Sequence, residues 1–319
     1  MIRPWLAAVS LATACGGGSP PPATPDPRPA APPAAPTVAT APLHAVQVNG
    51  TTLHYRLLGD SGAPVVFVHG SLTDLRDWDA QVATFAGRHR VLVYSRRYHR
   101  PNPQQNDDQV YSPMLHAADL VALLLRLDLA PAHLVGSSYG AYTALVLALE
   151  HPELVRSLVL AEPPIMPLLN RTPEGDAIRR AFFAASLDPA RAAFAHGDSV
   201  AGVRAFVDGV SGTPGRFDAL SAPARAQILT HAFEMRREML ASREQYFPPL
   251  ACADLGRLHT PVLLLTAARS ARRLHIITDE LARCLRGDTT VLVPNADHAM
   301  HRTNPAYYNQ VVLRYLVTH

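Results

Sequence analysis

Residues 133–145, HLVGSSYGAYTAL, constrain the fold of this chain more than any other stretch. The apolar residues 133–135 read as a strand, and residues 139–150, ending before His151-Pro152, read as a helix. Gly136-Ser137-Ser138-Tyr139-Gly140 joins them with no residues to spare for a loop. A strand that passes straight into a helix must turn sharply, and glycines at 136 and 140 permit that turn where a Cβ would collide. Ser138 then stands at the apex, facing the N-terminal end of a helix, where free N–H groups and the helix dipole favour negative charge.

The same alternation continues along the chain. Residues 65–68, 90–94, 157–160, 262–266 and 290–293 form short, largely apolar runs, as expected of strands buried on both faces. Residues 45–48 and 52–57 flank Asn49-Gly50 and read as a hairpin. Helical patterns at 112–127, 279–285 and 305–315 have the length of crossover helices. The pattern predicts an α/β fold over residues 43–319, with a mostly parallel central sheet and helices on both faces. Residues 167–250 break the rhythm with amphipathic segments such as 174–185 and 222–241, which predict an inserted helical lid.

VVFVHGS, VLVYSRRYH, the Ser138 elbow, LVLAEPP, PVLLLT and VLVPNADHAMH follow one another in an order that resembles the α/β-hydrolase family over about residues 45–319. That family includes esterases, lactonases, C–C hydrolases and cofactor-free haloperoxidases, and fold alone does not choose among them. The resemblance implies that Ser138 is the nucleophile and that the N–H groups of Ser71 and Tyr139 form the oxyanion hole, with His69 structural. It places the general base at His298, with His301 as runner-up. The His298/His301 spacing also raises a metal, but no third ligand pattern accompanies it, so no metal or organic cofactor is expected. Asp297 reads as a loop residue.

The acid departs from the commonest family pattern. After the strand at 262–266 the chain reads Ala267-Ala268-Arg269-Ser270, with no carboxylate before Asp279. One strand earlier, residues 158–161 lead into Glu162, a position that some relatives use for the acid. Glu162 is the choice, with Asp279, or no acid at all, as the alternative. Relatives that open epoxides or remove halogens attack through Asp, and a Ser at the elbow sets those reactions aside.

The leading expectation is hydrolysis of a small ester, thioester or lactone through an acyl group on Ser138. The alternatives are perhydrolase- or haloperoxidase-like chemistry on the same residues, or a non-catalytic, surface-tethered ligand-binding protein. Phe182, Phe183, Phe206, Phe233, Tyr246 and Phe247 either line an acyl pocket or pack a core, and Trp78 reads as packing.

Apolar residues make up 48% of the chain and charged residues 17%, an ordinary globular balance, and a formal charge of +3 with scattered basic residues points away from nucleic acid. The densest basic group, Arg96, Arg97 and Arg100, reads as solvated loop. Residues 1–15 combine Arg3, a short apolar run and small residues, the layout of a secretory signal. Ala12-Thr13-Ala14 fits ordinary cleavage, whereas residues 11–15 resemble a bacterial lipobox with Cys15 as the lipidated residue. Lipidation is favoured, because residues 16–42 are rich in Pro, Ala and Gly and read as a tether behind a membrane anchor. Cys252 and Cys284 read as buried thiols in preference to a disulfide.

Overall fold

The computed structural model describes residues 41–285 and 289–319. The signal segment 1–15, with Cys15, and residues 16–40 of the tether lie outside the described residues.

Among the described residues eight strands form one sheet: β1 (His44–Val48), β2 (Thr51–Leu58), β3 (Pro64–Val68), β4 (Arg90–Tyr94), β5 (Ala132–Ser137), β6 (Val155–Ala161), β7 (Val262–Ala267) and β8 (Thr289–Val293). Their spatial order is β1-β2-β4-β3-β5-β6-β7-β8. The β1–β2 hairpin and the β2–β4 pair are antiparallel, and all later neighbours are parallel. Alternate side chains of β3 serve opposite faces, as strand geometry requires: Val66 and Val68 join one core, Val65 and Phe67 the other.

Helix α1 (Asp79–Ala86) covers the second face, while α2 (Pro113–Arg126) and α3 (Tyr139–Glu150) cover the first. Between β6 and β7 come α4 (Pro173–Phe182), α5 (Asp188–Ala195), α6 (Ser199–Ser211), α7 (Ala222–Leu229), α8 (Ala232–Leu240), α9 (Arg243–Tyr246) and α10 (Cys252–Leu255), the helical insertion. The chain closes with α11 (Arg272–Leu285), α12 (Met300–Thr303) and α13 (Pro305–Val317) around β8. Among the described residues no helix is long and apolar enough to cross a membrane.

The elements differ from the sequence reading in four places. Helix α1, eight residues long, was not anticipated. The helix expected at 279–285 begins at Arg272, because its charged first turn hides the periodicity. The segment 222–241 is two helices, broken at Thr230-His231, where His231 leaves helical geometry with ψ 14°. Residues 183–187 continue α4 as a π-type turn into α5.

Two chemical expectations are corrected. Cys252 and Cys284 are not free thiols but a disulfide, with Cα atoms 4.9 Å apart, that ties α10 to α11. Arg96 and Arg97 are not solvated loop residues, since both are buried. Arg97 pairs with Asp119 at 2.6 Å, and Arg96 spends its donors on backbone carbonyls and Tyr111. A run of arginines in sequence carries no mark of such partners, which lie 15–27 residues away.

Candidate active site

The turn between β5 and α3 is held in a conformation that few residues adopt. Ser138 has φ 52° and ψ −122°, and its amide donates to Ala161 O at 2.8 Å, locking the apex against the end of β6. A non-glycine residue there stores about 1–3 kcal/mol of strain, which the surrounding packing must hold. The glycines are required by space: a Cβ on Gly136 would lie 2.5 Å from Ala141 Cα, and one on Gly140 would lie 2.1 Å from Val68 O. Tyr139 opens α3, so its amide has no acceptor within the helix.

Glu162 follows β6 directly, is fully buried and also has a positive φ, 46°. Its carboxylate reaches across the end of β7, where Oε1 accepts from Thr266 Oγ1 and the Ala267 amide, each at 2.9 Å. Oε2 lies 2.8 Å from the Ser270 hydroxyl, which donates to it, and 2.7 Å from His298 Nδ1. Burial pushes this carboxyl up, but the bond and charge of His298 and the donors from Ala267 and Ser270 outweigh burial and hold it below the usual glutamate range. The usual acid position after β7 is therefore filled by donors to a carboxylate from the neighbouring strand. Asp279 is exposed on α11 and takes no part in this cluster.

His298 follows β8 and lines the same small cavities as Ser138 and Ser71. His301 turns away to Asp77, 3.1 Å from its Oδ2, and packs tilted against Trp78 with ring centroids 4.5 Å apart, so the two histidines serve different carboxylates. Trp78 is fully buried against Phe67. Asp297 accepts from the Ala299 amide at 3.0 Å and shapes the loop.

The 69–71 turn is anchored from behind. Gly70 O accepts from Arg96 Nη2 at 2.8 Å and lies 2.8 Å from His69 Nδ1. In a trans peptide the N–H points opposite its own carbonyl, so fixing Gly70 O fixes the direction of the Ser71 N–H. His69 accepts the Arg96 amide at Nε2, which leaves Nδ1 as its protonated nitrogen, and burial, then the charge of Arg96, lowers its pKa to about 3. Ser71 Oγ donates to Glu238 Oε2 at 2.7 Å, and Tyr111 and Tyr246 donate to the same carboxylate at 2.7 and 2.9 Å. Burial raises Glu238, with Arg96 offsetting part of the effect. Glu238 belongs to α8 of the insertion, so the insertion and the turn share one buried carboxylate. The sequence reading missed Arg96, Tyr111, Glu238 and Ser270, because nothing in local spacing marks partners this distant.

Phe182, Phe206, Tyr246 and Phe247 line the cavity at Ser138, together with Pro164, Met166 and Leu187. Phe183 instead stacks behind Phe247, and Phe233 packs on Tyr98. His99, His231 and Glu234 bring their ligand atoms within 4.8 Å of one another nearby. Hydrogen bonds already hold them: His231 Nδ1 is 2.5 Å from Glu234 Oε1, and His99 Nδ1 donates to Thr73 O at 2.8 Å.

A family model described as "Alpha/beta hydrolase family" matches residues 65–311. The uncharacterized hydrolase YraK of Bacillus subtilis is 33% identical over 125 residues, 39% of this chain and 46% of that protein. The putative carbamate hydrolase RutD of Variovorax paradoxus is 28% identical over 277 residues, 83% and 96% of the two chains. The chain spans less than half the length of the first curated relatives it matches. Among solved structures, Est816, an N-acyl homoserine lactone degrading enzyme, superposes with TM-score 0.63 at 22% identity over 85% of this chain and all of its own. Carboxylesterase CesB of Bacillus subtilis does so with TM-score 0.64 at 19% identity, over 88% and 92%. At these identities the likeness speaks to fold. With the family match running from β3 into α13, the chain belongs to the alpha/beta hydrolase family.

Proposed function

We propose that the protein is a serine hydrolase that cleaves a small ester, thioester or lactone through an acyl group on Ser138. The 2.7 Å contact between Glu162 Oε2 and His298 Nδ1, beside a cavity shared with Ser138, carries this reading. With Nδ1–H held by the carboxylate, Nε2 of His298 keeps its lone pair for the Ser138 proton. Ser138 Oγ attacks the carbonyl carbon as His298 takes that proton, and the carbonyl π electrons move to oxygen. The Ser71 and Tyr139 amides receive the negative charge, each contributing about 3 kcal/mol to the transition state. The oxyanion then re-forms the carbonyl as the bond to the leaving oxygen, or sulfur in a thioester, breaks, and His298 gives the proton to that departing atom. Water, deprotonated by the same imidazole, releases the acid and restores Ser138.

The cavity at Ser138 is small, about 30 Å³, and its lining is mainly apolar. The lactone- and ester-cleaving structures with this fold support the substrate class. A short nitrophenyl ester tests the reading: the protein should give a burst of nitrophenol, and Ser138→Ala should lose it, with turnover reduced by about 10⁴-fold or more. Hydrolysis retained in Ser138→Ala would contradict it.

We propose further that the protein is exported and lipid-anchored through Cys15. The signal-like layout of residues 1–15 supports this, as does the Cys252–Cys284 disulfide, since such bonds persist in oxidising compartments. Cys15→Ala should move the protein from the membrane to the soluble fraction with its activity intact, and equal membrane retention would contradict the anchor.

A further inference from the structure

Among the described residues, most buried charges have a partner. Arg97 has Asp119, Asp77 has His301 and Arg302, Glu280 has Arg171 and Arg283, and Glu162 has His298. Arg96 has no carboxylate at ion-pair distance, but Nε, Nη1 and Nη2 all have acceptors, and Tyr111 links it to Glu238.

Arg273 is an exception. It sits in the first turn of α11, only 5% exposed, and among the described residues no carboxylate lies within ion-pair distance of it. Nη2 donates to Val210 O at 2.6 Å, and the guanidinium lies 4.2 Å over the Phe182 ring. Nε is buried without a hydrogen-bond partner. The opposing charge that acts on it from a distance is Glu162, whose oxygens are already committed to Thr266, Ala267, Ser270 and His298. Burial lowers its pKa to about 10, so the group is still a cation at neutral pH. A buried guanidinium with open donors costs several kcal/mol, and a fold does not retain that cost without a partner to offset it.

The position of Arg273 points to where that partner arrives. It lines the cavity that holds Ser138 and His298, and it also lines a groove of about 530 Å³ between α4, α6 and α11. Phe182 and Arg273 belong to both walls. The other charges of the groove are already engaged: Arg204 with Asp218, Arg272 with Glu174, and Asp208 with the Gly215 and Phe217 amides. Elsewhere the groove is mostly apolar, with Ile178, Ala181, Ala185, Ala201 and Ala205.

We infer that Arg273 is a substrate-binding residue that receives a carboxylate on the ester or lactone, delivered along this groove with the scissile carbonyl at Ser138. The substrate class narrows to hemiesters and other carboxylate-bearing acyl compounds. A planar fork of N–H donors matches two carboxylate oxygens, and a single cation in an apolar wall suits a monoanion better than a phosphate dianion. The inference rests on the serine-hydrolase reading for its kinetics, but the anion site has a test of its own.

Nitrophenyl hemisuccinate, hemiglutarate and hemiadipate should be compared with neutral nitrophenyl esters of equal length. The protein should favour the best hemiester by about 10- to 100-fold in kcat/KM, the range of a charged hydrogen-bond pair. Arg273→Met should abolish the ratio and Arg273→Lys should keep part of it, with folding of each variant verified by its thermal transition. Calorimetric titration of glutarate into Ser138→Ala, with and without Arg273→Met, reads the site without turnover. Glutarate binding that is lost with Arg273→Met, in a protein that cleaves no ester, would leave the anion site standing and remove the hydrolase reading. Ester cleavage with no anionic preference and no glutarate binding, or a preference unchanged in Arg273→Met, would overturn the role of Arg273.

Discussion

Glu162 Oε2 lies 2.7 Å from His298 Nδ1, although the strands that deliver the two residues, β6 and β8, are separated by β7. Two strand spacings amount to roughly 10 Å. The glutamate side chain and the left-handed backbone at Glu162 bridge that gap over the end of β7, which supplies two of the donors that hold the carboxylate.

Glu162→Gln should therefore cripple turnover while preserving the fold. An amide at this position no longer stabilises the imidazolium, and loss of the acid in a serine protease lowers kcat by about 10⁴. Asp279→Asn, on the exposed side of α11, should be nearly silent. Steady-state kinetics of both variants, with circular dichroism as the fold check, decide the matter. A reversed pattern would remove Glu162 from the mechanism.

Gly140→Ala should be more damaging than most single-methyl changes. Its new Cβ would meet two backbone oxygens, Val68 O at 2.1 Å and His69 O at 2.5 Å, and backbone cannot move aside as a side chain does. Overpacking of this kind costs about 1–3 kcal/mol or more, and the shift falls on the turn that carries Ser71. A lowered melting temperature together with lost activity is expected. Gly87→Ala, which meets nothing within 4 Å, is the matched control.

Reduction of the Cys252–Cys284 bond should lower stability by about 3–4 kcal/mol, the loop-closure value for residues 32 apart in sequence. Chemical denaturation with and without reductant reads this directly. An unchanged midpoint would show that the pair contributes nothing in solution.

Measured against Glu234→Gln, the unmodified protein should lose stability between about pH 4.5 and pH 7 because of Glu234, a contribution opposite in sign to that of buried neutral histidines such as His69. Burial raises its pKa to about 7, above the ordinary value of 4.5. The folded state binds a proton that the unfolded state has already lost in this window, so the contribution is complete below pH 4.5 and disappears as pH rises through 7. Glu234→Gln keeps the neutral shape at every pH. Its melting temperature should exceed that of the unmodified protein at pH 8 and approach it near pH 4.5.

The strands were legible in the sequence because burial on both faces leaves continuous apolar runs, and the family match confirms the fold class that they predict. Tyr139–Glu150 was legible as a helix for a similar reason, since an apolar run of that length bounded by His151-Pro152 has few other solutions. What escaped was set by distant partners. Arg96 and Arg97 look like surface arginines until Tyr111, Asp119 and the 69–70 carbonyls are brought to them. Cys252 and Cys284 carry no sequence mark of the approach of α10 to α11. Arg273 lies in a charged helical turn that carries no sequence mark of burial, which only tertiary packing against Phe182 and Val210 reveals.

The central claim is that Ser138 is an activated nucleophile, and fluorophosphonate labelling followed by peptide mapping tests it most directly. A single phosphonyl adduct on Ser138 is expected, because this hydroxyl combines a strained elbow with a carboxylate-held imidazole in the same cavity. The adduct should be absent in Ser138→Ala and strongly slowed in Glu162→Gln. Labelling at Ser137 or Ser71 with Ser138 unmodified, or no labelling of the folded protein at all, would contradict it.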